Sequence, residues 1–271
     1  MTPLIIMVAP NGARKTHADH PALPITPAEL ANTAAACREA GAGLIHLHVR
    51  SDDSGHTLDA DRYRQAITAI RQAVGDDMII QVTSEAVGIY QPDQQMRMVR
   101  ELRPEMVSLA VRELIPDTDS EAEAGAFFEW LHRERIVPQY ILYSADDSRR
   151  FDELVRRGVI PGERHFVLFV LGRYSAGQTS SPHDLLPFID TVQPDWTWMV
   201  CAFGARENAC ALTAAALDGH CRVGFENNMQ LCDGSTAPDN AALVSQLVAG
   251  ARLIGRTPAD ADAVRQWFST G

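Results

Sequence analysis

The stretch "TPAELANTAAACREAGAGLIHLHVR", Thr26 to Arg50, carries a helix start, a helix and a strand in direct succession. Thr26 offers a hydroxyl at the N-cap, Pro27 takes the first helical position where a missing N–H is harmless, and Glu29 stands at N3. The spacing predicts a helix over 27–40, and the apolar run after it a strand over 44–49. His46 and His48 lie two apart in that strand, so both imidazoles face the same side while Leu47 and Val49 face the other.

The same alternation runs along the whole chain. Short apolar runs bounded by turn residues predict strands over 4–9, 44–49, 78–83, 106–111, 138–143, 165–171, 196–202 and 221–225. Helical periods fall between them at 27–40, 60–74, 92–102, 120–133, 147–157, 182–189 and 206–217, with an eighth at 240–254. Strict alternation of this kind predicts a single-domain α/β fold, a closed (β/α)8 TIM barrel spanning residues 1–271. Thr26-Pro27, Ser181-Pro182 and Thr257-Pro258 each repeat the hydroxyl–proline–acid start signal, the last opening a short C-terminal helix in "PADADAVRQWFST". Trp267 and Phe268 in that helix either pack on a neighbouring subunit or cap the barrel's own base.

A chain of 271 residues, 46% of them apolar, is long enough to bury a large core. The N-terminal "PLIIMVAP" is too short and lacks the flanks of a signal peptide, and no run reaches membrane-spanning length, which predicts a cytoplasmic protein with no membrane partner. Cys37, Cys201, Cys210, Cys221 and Cys232 form no CxxC pair and read as buried reduced thiols. With 35 acidic against 24 basic residues the formal charge is −11, which argues against nucleic acid as a partner.

In a barrel of this kind the active site is built from the carboxyl ends of the strands. Those ends read "APNGARKT", "HLHVR", "QVTSEA", "SLAVREL", "YSADDSRR", "LGRYSAG", "AFGARE" and "RVGFENN", richer in ionisable groups than turns require. Two uncharged imidazoles on one inward face are costly to bury unless a metal or an acid uses them, and the ligand type is that of zinc. Glu226, at the end of the eighth strand, is the best third ligand, with Asp52, Glu85 and Glu113 competing.

These residues carry a resemblance. "APNGARKT…HPALPITPAEL", "AGAGLIHLHVR", "IIQVTSEA", "RPEMVSL" and "DGHCRVGFENN", in this order along nearly the whole chain, are similar to the β-keto acid cleavage enzyme family. The resemblance implies a (β/α)8 barrel with one Zn2+ on His46, His48 and Glu226, and acetyl-CoA as co-substrate. It implies a reaction in which a β-keto acid and acetyl-CoA give acetoacetate and a new CoA thioester. Arg222, four residues before the metal glutamate, then supports the catalytic network; Thr83 or Ser84 and Ser108 bind the keto acid, with Asn11, Arg14, Arg112 and Glu113 as further substrate-binding candidates. Homo-oligomers, dimeric or tetrameric, are expected of such barrels.

Three positions depart from the family pattern. Asn227 stands where many members carry an aspartate with a proton-transfer role, and an amide cannot be a base. Glu85-Ala86 replaces a Gly-Gly pair, so Glu85 either repels the substrate carboxylate, is neutralised by Arg14 or Arg112, receives a cationic tail, or replaces the missing base. Arg14 itself stands where characterised members can carry an acid, suggesting a charge exchange with Glu85. For CoA the chain offers only Arg149, Arg150 and Arg173, which read as solvated loop charges. Alternatives are a metal-dependent retro-aldol lyase or hydrolase on the same barrel, or a weak paralogue that binds a keto acid or thioester. An amidohydrolase-type site would want its HxH on the first strand and an aspartate after the last.

Overall fold

The computed structural model describes residues 2–269. Eight parallel strands close into a barrel: β1 (Ile6–Val8), β2 (Leu44–Leu47), β3 (Ile79–Thr83), β4 (Met106–Ala110), β5 (Val137–Leu142), β6 (His165–Leu171), β7 (Trp196–Ala202) and β8 (His220–Val223), with β8 returning to β1. Around it lie α1 (Pro27–Ala40), α2 (Ala60–Val74), α3 (Pro92–Leu102), the single-turn α4 (Val111–Leu114), α5 (Glu121–Glu134), α6 (Ala145–Arg156), α7 (Leu186–Ile189, led by a 3-10 turn at Pro182–Leu185), α8 (Glu207–Ala216), α9 (Asn240–Leu253) and α10 (Ala261–Ser269). The strands are buried on both faces, as a barrel wall covered by helices demands, except for half-buried positions in β5 and one in β7. The Thr26 hydroxyl accepts from Glu29 N while Glu29 returns to the Thr26 amide, and Ser181 with Asp184 does the same.

One apolar layer fills the space between wall and helices, with Tyr63, Phe127, Phe151 and Phe169 fully buried in it. A second fills the barrel itself, from Ile5, Met7 and Leu168 down to Val264 of α10. Trp267 and Phe268 close its base: Phe268 lies 4.9 Å from the Phe166 ring and Trp267 Nε1 donates to Thr197 Oγ1 at 3.0 Å. Within this chain the two residues thus cap the barrel's own base. Of the five cysteines four are buried, and Cys232 is exposed. No described helix is long and apolar enough to cross a membrane.

Many element ends shift from the sequence expectation by one to two residues, and β1 and β8 are shorter than expected; two differences matter for the base and the mouth of the barrel. Helix α10 begins at Ala261 rather than at Pro258, because the backbone of 257–259 is taken up by Leu4, ahead of β1: Leu4 N donates to Thr257 O and Ala259 N to Leu4 O. Asp260 caps the helix instead, accepting from Ala263 N at 2.8 Å; the final Thr270 of the predicted helix lies outside the described residues. Strand β2 ends at Leu47, and Val49–Arg50 turns away to pair antiparallel with His56–Thr57. His48 thus sits in the hinge between the barrel wall and a small ribbon rather than inside the strand.

Candidate active site

His46 and His48 nevertheless converge at the carboxyl-terminal mouth of the barrel. Their Nε2 atoms are 3.1 Å apart, and Glu226 Oε2 lies 3.6 Å from the first and 3.5 Å from the second. Donors bound at about 2.0–2.1 Å to one tetrahedral cation stand about 3.4 Å from one another, so this triangle has the dimensions of three ligands of one ion. Glu226 Oε2 is buried and has no hydrogen-bond partner among the described residues. Two imidazole nitrogens and a carboxylate are a donor set suited to zinc.

The tautomer of His46 is fixed from behind. Its Nδ1 donates to Gln81 Oε1 at 2.7 Å, which leaves the Nε2 lone pair facing Glu226. Gln81 is the lateral partner of His46 on β3 and is itself held through its amide nitrogen: Gln81 Nε2 donates to Gln139 Oε1 at 3.0 Å. Burial pushes the His46 pKa down to about 3, with Arg222 and His48 adding to the shift, so the ring is neutral near pH 7.

Glu226 is gripped on all sides. Glycine at position 224, at φ 141°, lets the chain leave β8 against β1, where an added Cβ would stand 2.3 Å from Ala9 O. Glu226 N then donates to Ala9 O, and Lys15 Nζ donates to Phe225 O and Glu226 O at 2.6 and 3.0 Å. The loop that carries Lys15 is tied down by Arg50, whose guanidinium donates to Gly12 O and Lys15 O. Asn240 takes Phe225 N and gives to Pro10 O, joining the same two loops. Behind them Glu207 accepts from Gly224 N and Asn228 Nδ2; burial pushes its carboxyl up to about 8 against these bonds and the Lys15 charge.

Arg222 Nη2 donates to Glu226 Oε1 at 3.0 Å and to the Cys201 thiol at 3.2 Å, from a position only 4% exposed. Burial opposes its charge, but Cys201 and Glu226 hold the guanidinium above the usual arginine pKa. Burial likewise works to raise Glu226, and Arg222 with the two imidazoles overcomes it and keeps the carboxyl well below the usual carboxylate range.

Gly12 packs directly on this carboxylate. Its φ is +62°, and an added Cβ would approach Glu226 Cγ to 2.7 Å. Gly12→Ala is expected to cost about 1–2 kcal/mol in backbone strain, a fall of about 2–8 °C in melting temperature read by circular dichroism.

The remaining predicted residues separate into those that line the cleft and those that brace it. Thr83 and Glu85 line it together with Arg222, His46, His48 and Glu226. Ser84, one residue on, faces away and donates to Ser108 O at 2.9 Å, while Ser108 Oγ reaches Thr83 Oγ1 at 3.5 Å. Asn11 Nδ2 donates to Pro24 O and His48 O, bracing the hinge rather than lining the cleft. Glu113, its carboxyl raised by burial, accepts from Ala86 N and Gln95 Nε2 and so holds the 84–86 turn. Arg112 is paired to Asp147 and lies 4.2 Å over the Tyr143 ring, so it is not the neutraliser of Glu85. Arg14 is: it stands 3.8 Å from Glu85 Oε1, and so does Arg173. Asn227 lies outside the lining, 3% exposed, with neither amide atom partnered among the described residues. Arg149 pairs with Asp146 and Arg150 with Ile115 O, away from the cleft.

The other walls are Tyr143, Arg173 and an apolar side of Ile141, Val170 and Phe203. Of the bracing residues, Gln81 and Gln139 carry a signal that sequence reading missed: each is polar and inward in a strand otherwise apolar.

Comparison with known proteins decides the family of the chain. The profile of the β-keto acid cleavage enzyme family matches residues 3–269. The chain belongs to that family. It is 34% identical over 279 residues to a 3-keto-5-aminohexanoate cleavage enzyme of Fusobacterium nucleatum subsp. nucleatum, covering 99% of this chain and 98% of that enzyme. It is 32% identical over 262 residues to a 3-oxoadipate:acetyl-CoA acetyltransferase of Cupriavidus necator, covering 94% and 90% of the two chains. Among solved structures, apo ObcA superposes with a TM-score of 0.76 at 16% identity, over 92% of this chain and 66% of ObcA; at that identity the likeness concerns the fold. As a member of the family the protein is an enzyme of β-keto acid cleavage.

Proposed function

We propose that the protein is a zinc-dependent transferase that exchanges acyl groups between a β-keto acid and acetyl-CoA. The observation that carries this reading is the His46, His48 and Glu226 triangle, open to a cleft that also holds Arg222 and Thr83. The bond broken is the one between C2 and C3 of the keto acid; its C1–C2 fragment joins the acetyl group, giving acetoacetate, and its acyl group leaves on CoA.

Zinc bound by the three ligands would act as a Lewis acid on the β-keto carbonyl. The chain's own residues do the rest of the positioning. Gln81 keeps His46 in the tautomer that presents Nε2, and Arg222 holds one oxygen of Glu226 so that the other faces the histidines. Thr83 offers a hydroxyl to the keto acid, and Ile141, Val170 and Phe203 keep water from that side of the cleft. Asn227, an amide that lies outside the lining, is given no proton to move.

The test is formation of a CoA thioester from acetyl-CoA with a panel of β-keto acids, using protein loaded with zinc and protein stripped by chelator. Product with zinc and none after stripping is the expected result. Zinc bound without product from any keto acid would leave a binding protein and overturn the reading. A smaller effect is expected behind the triad: Gln81→Leu should weaken apparent zinc affinity about 10- to 100-fold, measured by competition with a chromogenic chelator.

A further inference from the structure

Among the described residues Glu85 is the one acid besides Glu226 that lines the cleft, and it is flanked by two guanidiniums. Arg14 and Arg173 both approach Glu85 Oε1 at 3.8 Å, too far for a hydrogen bond. Arg173 is the notable partner. Its side chain is 20% exposed, lies 5.4 Å from the Phe203 ring centroid, and donates no hydrogen bond among the described residues. The neighbouring arginines are engaged: Arg112 with Asp147, Arg222 with Glu226, Arg150 with Ile115 O. A half-buried guanidinium with its donors open, set in the wall of a cleft, is a receptor for a carboxylate. Arg173 in the cleft wall and the exposed Arg14 beside it set two positive charges against the one negative charge of Glu85.

We infer that the preferred substrate is a β-keto acid whose far end bears a second carboxylate, received by Arg173 with Arg14 at the rim. An ammonium tail, which Glu85 alone would suit, meets two cations on the way to that single acid. This rests on the β-keto acid cleavage reading and adds the class of substrate. The carboxylate beside the reacting carbonyl and the CoA phosphates are common to every assay, so tail preference isolates the second carboxylate.

The experiment compares kcat/KM of the zinc-loaded enzyme for three β-keto acids of matched length ending in carboxylate, methyl or ammonium, with acetyl-CoA held constant. The carboxylate tail is expected to exceed the methyl tail by about tenfold or more, and the ammonium tail to fall below it. Arg173→Gln should bring the carboxylate-to-methyl ratio towards one, Arg14→Gln should lower it less, and Glu85→Gln should raise it. Preference for the methyl or ammonium tail, or a ratio that Arg173→Gln and Arg14→Gln leave unchanged, overturns the inference while leaving β-keto acid cleavage intact. Absence of turnover with all three overturns the functional reading beneath it.

Discussion

Replacing His46 by alanine is expected to empty the metal site and to lower kcat/KM by about 10³-fold or more. His46 supplies one corner of a triangle whose edges, 3.1 to 3.6 Å, suit a single cation, and its removal leaves one imidazole and one carboxylate. Loss of a Lewis acid is worth several kcal/mol at the transition state, which is the size of a thousandfold fall. The measurement is zinc per chain by elemental analysis beside turnover, with far-ultraviolet circular dichroism to establish that the barrel persists. His46 lies at the mouth, away from the apolar layer that holds wall to helices, so the fold should survive the substitution. Full zinc content and near-normal turnover in His46→Ala would return both histidines to packing.

Arg222→Met should produce the second large effect, on stability as well as activity. The guanidinium is 4% exposed and is the direct counter-charge of Glu226. Removing one partner of a buried pair strands the other, at about 3–5 kcal/mol. For a domain of this size that corresponds to a fall of about 6–20 °C in melting temperature, measured without metal. Zinc should restore part of the loss, because a cation at the triad gives Glu226 a new counter-charge. A variant that melts with the wild type in metal-free buffer would show that the Arg222–Glu226 pair contributes little.

The barrel could be read from the chain because its signal is repeated eight times: buried strands and capped helices alternate, and no single boundary matters. What failed was set by contacts distant in sequence. The Thr257 start signal is intact locally, yet Leu4, at the other end of the chain, occupies its backbone. Strand β2 stops before His48 because Val49 and Arg50 find partners at Thr57 and His56 in a ribbon that the apolar period does not encode. The triad was legible because period-2 spacing and the strand-end rule place His46, His48 and Glu226 together. Strand-end position alone does not separate lining from bracing. Asn11, Ser84, Ser108 and Glu113 stand where substrate contacts are expected and turn out to hold backbone or neighbouring hydroxyls. Arg173 reads as a solvated loop charge until the fold seats it against Phe203, beside Glu85.

The exchange of acyl groups is tested most directly with acetyl-CoA labelled with 13C at both acetyl carbons, an unlabelled β-keto acid and the zinc-loaded enzyme, read by NMR of the products. Cleavage between C2 and C3 of the keto acid predicts acetoacetate labelled at C3 and C4 alone, with an unlabelled CoA thioester of the remaining acyl group. Unlabelled acetate from the keto acid with intact labelled acetyl-CoA would instead mean simple hydrolysis, and would contradict the transfer reaction at its root.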